Sequence, residues 1–519
     1  KPVKITAVVA LPGIPNAKVG TIAPPVAALL AASAPAIPSI DPLPNSSGFF
    51  DQRLASEYPI NDATVPPSAG RTPIKEPMPD DLNNRSKFGS RIKTNNDLSN
   101  FMLFSPYYLN ADSQKTNAMI GISPGFSFGG VKDEVIMVKA WGSASVENWS
   151  LLVEPVIVND KQGQNVLGTS FTRFGISGRI RNAFLRYSGH SSSLQIGRAP
   201  IFWGQSRSHS IVHTTSGPTY DHISAKTNFK QFQFEFFSGQ LGPDTANVVV
   251  RIKRLTAGHR LTWISESNKL MFSFGEQVIY TGKHRSVEFM YLNPFVPYFF
   301  TAVEGDELYQ PDDSDNSIIF LTARYNPQPS FSLYGEIVLD DFQVDANNSI
   351  DQLGVRIGAD GAVSIAKFPI TWEADFTKMS TWTNIHYGQS TSWYNRGHAL
   401  GYLYGTDLWA VHVQGDAWLT KQILFAVDYT WLGKGSKTLQ AEFDNWDEAK
   451  PSISFPSEPV INHHLITTSV SLWSSLGMFE VGYSTIPFAN KIAFEGMDSS
   501  PEGGIFFRYQ YVLQKVFNI

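Results

Sequence analysis

Residues 227–239 read TNFKQFQFEFFSG, and the pattern alternates: Phe232, Phe234 and Phe236 fall on one side of an extended chain, Gln231, Gln233 and Glu235 on the other. A strand of a soluble sandwich also alternates, so recurrence decides the reading. Ile423, Phe425, Val427, Tyr429 and Trp431 oppose Leu424, Ala426, Asp428 and Thr430, and Phe479, Val481 and Tyr483 oppose Glu480, Gly482 and Ser484. The last strand sets Ile505, Phe507, Tyr509, Tyr511 and Leu513 against Arg508, Gln510 and Gln514. A sheet with lipid outside and water inside has this pattern, because each strand shows an apolar face to hydrocarbon and a polar face to the interior.

Composition points the same way. Charged residues make up 17% of the 519-residue chain and aromatics 13%, whereas ordinary soluble domains are about 25% charged. A lipid-facing surface needs few charges and uses aromatic girdles at its edges. Length alone would suggest roughly three or four soluble domains. The alternation, however, continues from about residue 95 to the end without a linker, so one large closed sheet is expected. The chain has no cysteine, which excludes disulfides and zinc-thiolate centres within it, and with Lys1 as the mature start no lipidated N-terminal Cys is expected. A formal charge of −5, with no run of five or six like charges, leaves nucleic-acid binding without an electrostatic footprint.

The least polar window, TIAPPVAALLAASAPAIPSI at 21–40, is nearly long enough for a membrane helix of about 20 residues. Pro24, Pro25, Pro35 and Pro38 would remove its hydrogen bonds inside lipid, so it is not read as a span. Residues 1–92 form a Pro/Ala-rich segment that cannot build its own core, and extended structure ordered by the barrel or by a partner is expected there. The chain starts at Lys1 without a basic stretch and apolar run, so a signal peptide is expected to have been removed already.

In residues 93–519, turn signals recur at Ser123-Pro124-Gly125, Gly129-Gly130, Lys161-Gln162-Gly163, Tyr325-Asn326-Pro327, Asn347-Asn348, Gly433-Lys434-Gly435 and Gly503-Gly504. At ~9–11 residues per membrane strand this stretch suits roughly 16 to 20 strands, and about 18 satisfies the even count of such barrels. The expected fold is all-β, a large closed antiparallel transmembrane β-barrel. Its expected lumen positions are ionic: Arg186, Arg198, Glu235, Glu276, Glu288, Arg324, Glu336, Asp340, Glu373, Asp375, Asp428 and Arg508. Charges of both signs in one interior pair with each other. A plugged or narrow lumen is therefore expected, with Glu276, Arg324, Glu336 and Asp340 in its ionic network.

Two blocks carry a resemblance. LQIGRAPIFWGQSRSHSIVHTTSGPTYDHI (194–223) and FGEQVIYTGKHRSVEFMYLNPFVPYF (274–299), followed by SLYGEIVLDDFQVD from Ser332, are similar in order and spacing to the Wzi family of capsule-assembly proteins. The matching features are Gly197-Arg198, Trp203-Gly204, Glu276, Asn293-Pro294, Gly335-Glu336 and Asp340-Asp341, and YNRGHALGYLYGTD (394–407) fits more loosely. The resemblance covers roughly residues 100–519 and implies a bacterial outer-membrane barrel that holds capsular polysaccharide on the cell surface. It departs at the N-terminus, where the family usually opens with a compact helical segment. That difference leaves room for a role as a subunit of a larger envelope assembly.

A protein that grips sugar polymers needs aromatic platforms for ring faces beside polar groups for hydroxyls. Arg198, Trp203, Gln205, Arg207 and His209 offer that mixture within a dozen residues. The competing reading makes Arg198 a lumen ion-pair partner and Trp203 a girdle residue. A second cluster, Trp382, Asn384, His386, Tyr387, Trp393, Tyr394, Asn395 and Arg396, reads as a long polar-aromatic loop that suits sugar stacking or simply lies outside the cell.

Glu336 with Asp340 and Glu373 with Asp375 alternate onto one strand face, as the carboxyls of a glycosidase, ~5–9.5 Å apart, could. Lumen acids meet that distance without catalysis, so no enzyme is expected. No cofactor or metal is expected either. Pro311 to Ser317 has oxygen ligands at alternate positions but lacks the Gly and closing Glu of a calcium loop. His463-His464 reads as a loop pair pointing apart, and Gly433 to Thr438 breaks the GxxxxGK[ST] spacing. The expected partners are outer-membrane lipid, surface polysaccharide and, through residues 1–92, other envelope proteins. Two competing functions remain: a porin, which needs an open charged channel, and an accessory structural barrel subunit of a multiprotein outer-membrane complex.

Overall fold

The computed structural model describes residues 117–518, interrupted within several connections, of which 243–251, 302–313, 342–351 and 442–453 are the longest. Before them it describes only the dipeptides 41–42 and 108–109, which pair with each other. The Pro/Ala-rich segment 1–92 otherwise lies outside the described residues.

Eighteen antiparallel strands close a barrel, as the alternation and length predict. They are β1 Asn117–Gly129, β2 Val135–Val146, β3 Trp149–Asn159, β4 Ile176–Ser188, β5 Ser192–Ala199 and β6 Tyr220–Phe229. Then come β7 Phe232–Gln240, β8 Lys253–Ile264, β9 Leu270–Gly282, β10 Ser314–Gln328, β11 Phe331–Asp341 and β12 Gln352–Ile365. The last six are β13 Phe368–Met379, β14 Leu408–Trp418, β15 Ile423–Lys434, β16 Ile461–Ser474, β17 Gly477–Ser484, and β18, which runs Gly504–Gln510 and resumes at Leu513–Asn518. Both pieces of β18 pair with β1 and close the sheet, so no edge faces lipid. Among the described residues no helix is long and apolar enough to cross a membrane.

The side chains follow the parity read from the sequence. Leu261 and Phe274 sit in register beside Phe234 and are exposed on the outer wall, whereas Glu235 and Arg260 pair inside. Ile505 is exposed and Arg508 is buried against Glu480 at 3.5 Å.

Some turn expectations fail for identifiable reasons. Ser123-Pro124-Gly125 lies within β1: Pro124 has no N–H to give, and β18 breaks opposite it, where Tyr511 N still donates to Pro124 O at 3.0 Å. Tyr325-Asn326-Pro327 ends β10 at a register shift. His463 and His464 belong to β16, not to a loop; His463 faces the lumen, and His464 accepts or donates at 2.8 Å with Tyr429 OH. Asn347-Asn348 lies outside the described residues. Gly129-Gly130 does turn, with positive φ of 72° and 74° that only glycine adopts readily.

The connections divide sharply by length. Those following even-numbered strands take two to five residues, while those following odd-numbered strands beyond β1 take ten to thirty-one. Bacterial outer-membrane barrels keep short turns in the periplasm and long loops outside. Asn117 and Asn518 pair at the short-turn end, so β1 begins and β18 ends at the periplasmic rim.

One long connection stays outside the barrel. After β9 the chain forms α1, Phe289–Leu292, and lies as a strap against the outer wall. Tyr291 and Tyr298 pack on Leu255, Ala257, Val278 and Tyr280, and Phe295 stacks on Phe234 at 5.6 Å. Two lumen assignments are corrected here. Glu276 shares the parity of Phe272 and Phe274, so it points outward, where its carboxylate accepts from Tyr298 N at 2.6 Å and faces His259 at 3.6 Å. Glu288 sits in the strap, bonded to Arg285 at 2.9 Å. The strap covers ionisable groups that hydrocarbon could not solvate.

Candidate functional site: a plugged lumen and an arginine rim

The β5–β6 connection, residues 200–219, turns inward and crosses the lumen. The Glu336 carboxylate on β11 accepts from Gln205 N at 2.5 Å, Ser210 Oγ at 3.0 Å and Ile211 N at 3.0 Å. Arg324 on β10 donates to Gln205 O and pairs with Asp360, while Arg356 on β12 donates to His209 O. Gln205 Nε2 reaches Thr322 at 2.8 Å, and Gln277 on β9 meets His213 Nδ1 at 2.8 Å. Trp203 rests on Phe237 and Phe320, with centroids 5.0 and 5.6 Å away. Ile211, Val212 and Leu400 join the same buried core. Burial pushes the His213 imidazole down to about 4, so the loop carries it neutral.

The β13–β14 connection, residues 380–407, fills the space above. Arg254 on β8 donates to Ser390 O at 2.5 Å, Ser392 O at 2.7 Å and Tyr394 O at 2.9 Å, and its guanidinium lies 4.0 Å from the Tyr394 ring centroid. Asp340 accepts from Asn384 N at 2.5 Å. Asp407 accepts from Thr381 Oγ1, Lys437 N and Ser457 N, which ties this loop to the β15–β16 connection. Thr214 N donates to Leu400 O at 2.7 Å, so the two inserted loops are joined to each other.

The sugar-binding candidates therefore divide. Trp203, Gln205, His209, Trp382, Asn384, Trp393 and Tyr394 are buried and pack the plug, so their rings and amides are not presented to solvent. Arg207 and Tyr387 lie outside the described residues. Of the ionic set, Arg324, Glu336 and Asp340 are in the lumen and hold the inserted loops; Glu276 is not. Glu373 and Asp375 both bond Arg356, at 3.2 and 2.7 Å. Of the acidic stretch Pro311 to Ser317, the first three residues lie outside the described set and Asp315 pairs with Arg285.

Arg198 and Arg396 stay accessible at the extracellular rim. Arg198 continues the outward row of Leu194 and Ile196, which corrects the expectation of a lumen position. Its guanidinium bonds Asp221 at 3.1 and 2.5 Å, and the Asp221 side chain is 61% exposed. Arg396 adopts φ 53° at the tip of a two-residue hairpin, where Gln164 Nε2 donates to its carbonyl at 3.1 Å. Burial, then the neighbouring Arg198 charge, lowers the Arg396 pKa. Arg179 on β4 lies in the same field and holds Leu167 O and Thr219 O at 3.0 and 2.6 Å. Sequence reasoning missed Arg179, Arg254 and Arg356. Arg356 carried a readable signal, since it lies between Val355 and Ile357 of an apolar outward row and so falls on the opposite, lumen face.

A closed barrel with an apolar outer wall, periplasmic turns and inserted extracellular loops defines an outer-membrane β-barrel protein. Among solved structures the chain is similar to Wzi, an outer-membrane protein of Escherichia coli involved in group 1 capsule assembly and a carbohydrate-binding β-barrel. The TM-score is 0.51 and the identity 13%, over 75% of this chain and 83% of that one. It is also similar to a BenF-like porin from Pseudomonas fluorescens Pf-5, with TM-score 0.44 and 7% identity over 78% and 99% of the two chains. OccAB4 of Acinetobacter baumannii gives 0.42 and 10% over 78% and 100%. At these identities the likeness is one of fold. No protein-family model and no curated protein sequence matches the chain.

Proposed function

We propose that this protein is a non-enzymatic outer-membrane barrel that binds or tethers surface polysaccharide at its extracellular rim. The observation that carries the reading is the plug: Glu336, Arg324 and Arg356 fix one loop across the lumen while a second packs onto it. A diffusion channel needs a continuous wet path, and two loops anchored across the lumen support a reading without one. The likeness in fold to a carbohydrate-binding barrel supports the same reading.

Near the rim Arg198 pairs with Asp221, and the charges of Arg179 and Arg396 lie in the same field, three guanidiniums to one carboxylate. That excess favours an acidic polymer, gripped by many weak contacts summed along its length. The buried aromatics act at one remove, by holding the loops that present the rim. The carboxylates that could have formed a hydrolytic pair are engaged in anchoring: Glu336 and Asp340 by the loops, Glu373 and Asp375 by Arg356.

The test compares alginate, an acidic polysaccharide, with neutral dextran on immobilised detergent-purified protein, alongside planar-bilayer recordings. Alginate binding that weakens with salt and drops about tenfold in the Arg198→Gln/Arg396→Gln variant supports the proposal. Absence of glycan binding together with steady single-channel conductance replaces it with a porin.

A further inference from the structure

We propose that the protein carries a divalent transition-metal site inside its lumen, formed by His209, Asp375 and His412, which staples the inserted β5–β6 loop to the barrel wall. The three residues come from three elements: His209 from the loop, Asp375 from β13 and His412 from β14. One ligand atom from each lies within 4.8 Å of the others, and all three side chains are buried.

Two observations point to an ion and not only to a packed polar cluster. His209 is 2% exposed, and its Nε2 finds no hydrogen-bond partner among the described residues. An imidazole nitrogen left bare in a buried polar site is costly unless something coordinates or protonates it. The second observation is the geometry of the rings. The His209 and His412 centroids are 4.9 Å apart at 60°. Two imidazoles sharing a tetrahedral ion at about 2.0–2.1 Å place their centroids about 5 Å apart.

The surroundings suit such a site. His412 Nδ1 lies 3.0 Å from Asp375 Oδ2, and His412 Nε2 faces Asp428 Oδ2 at 3.5 Å. Asp428 can thus hold one ring nitrogen as the outer carboxylate while the other stays on the Asp375 side, the usual carboxylate–histidine–metal relay. Arg356 bonds both oxygens of Asp375, and Thr377 Oγ1 takes the second lone pair of Oδ1 at 3.3 Å, so Oδ2, whose other lone pair faces His412 Nδ1, is the oxygen that would meet an ion. Two imidazoles with one carboxylate select Zn2+ and its neighbours over Ca2+ or Mg2+, whose ligands are oxygens. The loop end of the site is itself tied down, because Arg356 donates to His209 O. Metal binding would therefore lock the plug at the point where its backbone already touches the wall.

The experiment uses the full chain without a histidine tag, purified in detergent, stripped with EDTA and titrated with Zn2+ and Co2+. One ion per chain is expected, with a rise in thermal unfolding temperature and the intense visible absorption of four-coordinate Co2+. His209→Gln and His412→Gln should lose all three signals, and His213→Gln, buried in the same loop but outside the cluster, should keep them. X-ray absorption on Zn2+-loaded wild type should show two imidazoles in the first shell, which protects the test if a variant folds poorly. The proposal falls if wild type takes up no stoichiometric metal, if folded His209→Gln retains the uptake, or if the zinc shell contains no imidazole.

Discussion

The Glu336 carboxylate on β11 and the Gln205 backbone amide in the β5–β6 loop meet at 2.5 Å inside the lumen, although they are 131 residues apart in sequence. The same carboxylate takes Ser210 Oγ and Ile211 N, so this side chain holds three points of the loop that Arg324 and Arg356 also anchor. Replacing Glu336 with Ala strands these buried donors, each costing about 1–3 kcal/mol. We expect discrete conductance steps in planar bilayers from Glu336→Ala and a silent baseline from wild type. A silent variant that also resists protease as wild type does would show that the plug does not depend on this residue.

The outer wall offers a contrast between neighbours. Arg356 is fully buried in the lumen beside its carboxylates, whereas Ile357 is 57% exposed on the other face of β12. Ile357→Arg puts the same charge into lipid one residue away. The expected loss is about 2–4 kcal/mol if the position lies near the bilayer midplane, read from urea-dependent folding into vesicles. An unchanged transition would mean that this wall does not face hydrocarbon.

Acidification should loosen the plug through His213. Its folded pKa of about 4 lies below the ordinary 6.5, so the inserted loop holds the neutral ring between Gln277 and Tyr220. A displaced loop takes up a proton between pH 6.5 and 4 that the inserted loop does not. Plug stability is thus full above 6.5 and falls as pH drops through that window, by on the order of 3 kcal/mol. Protease accessibility of residues 200–219, followed against pH in EDTA, should show the change. An equally steep profile in His213→Gln would assign the effect elsewhere.

The strap should respond to a single outward carboxylate. Glu276 accepts from Tyr298 N at 2.6 Å, and Glu276→Ala removes that acceptor at a cost of about 1–3 kcal/mol. Hydrogen exchange at the Tyr298 amide should quicken by about tenfold or more while the barrel strands keep their protection. Unchanged exchange would mean that packing of Tyr291 and Tyr298 alone holds the strap.

How much of this was legible in the chain follows from how far each signal reaches. Strand parity is local: residues two apart share a face, so Phe232, Phe234 and Phe236 declare a lipid side without reference to any other strand. The length of the alternating region then bounds the strand number at roughly 16 to 20, and the even count of such barrels suits 18. Charge misleads where an ionic side chain follows its strand's parity onto the lipid side for a non-local reason. The charge of Glu276 points to the lumen, whereas its parity with Phe272 and Phe274 turns it outward, where a strap starting at residue 283 folds back over it. Arg198 was misplaced for a similar reason, its partner Asp221 lying across a connection of twenty residues.

The candidate site was legible by composition but not by exposure. Trp203, His209, Trp382 and Trp393 lie in loops, as expected of them, and a sequence records that a segment is a loop without recording which way it folds. Direction was decided by Arg254, Arg324, Glu336 and Arg356, wall residues whose partners lie 119 to 147 positions away. The sequence by itself determined a lipid-facing closed sheet, because a two-residue period and a hydrocarbon solvent leave no other way to satisfy every strand. Which loops fold against the inside of that sheet was decided only by tertiary structure, because buried charges on the wall needed partners and distant loop amides were the ones that reached them.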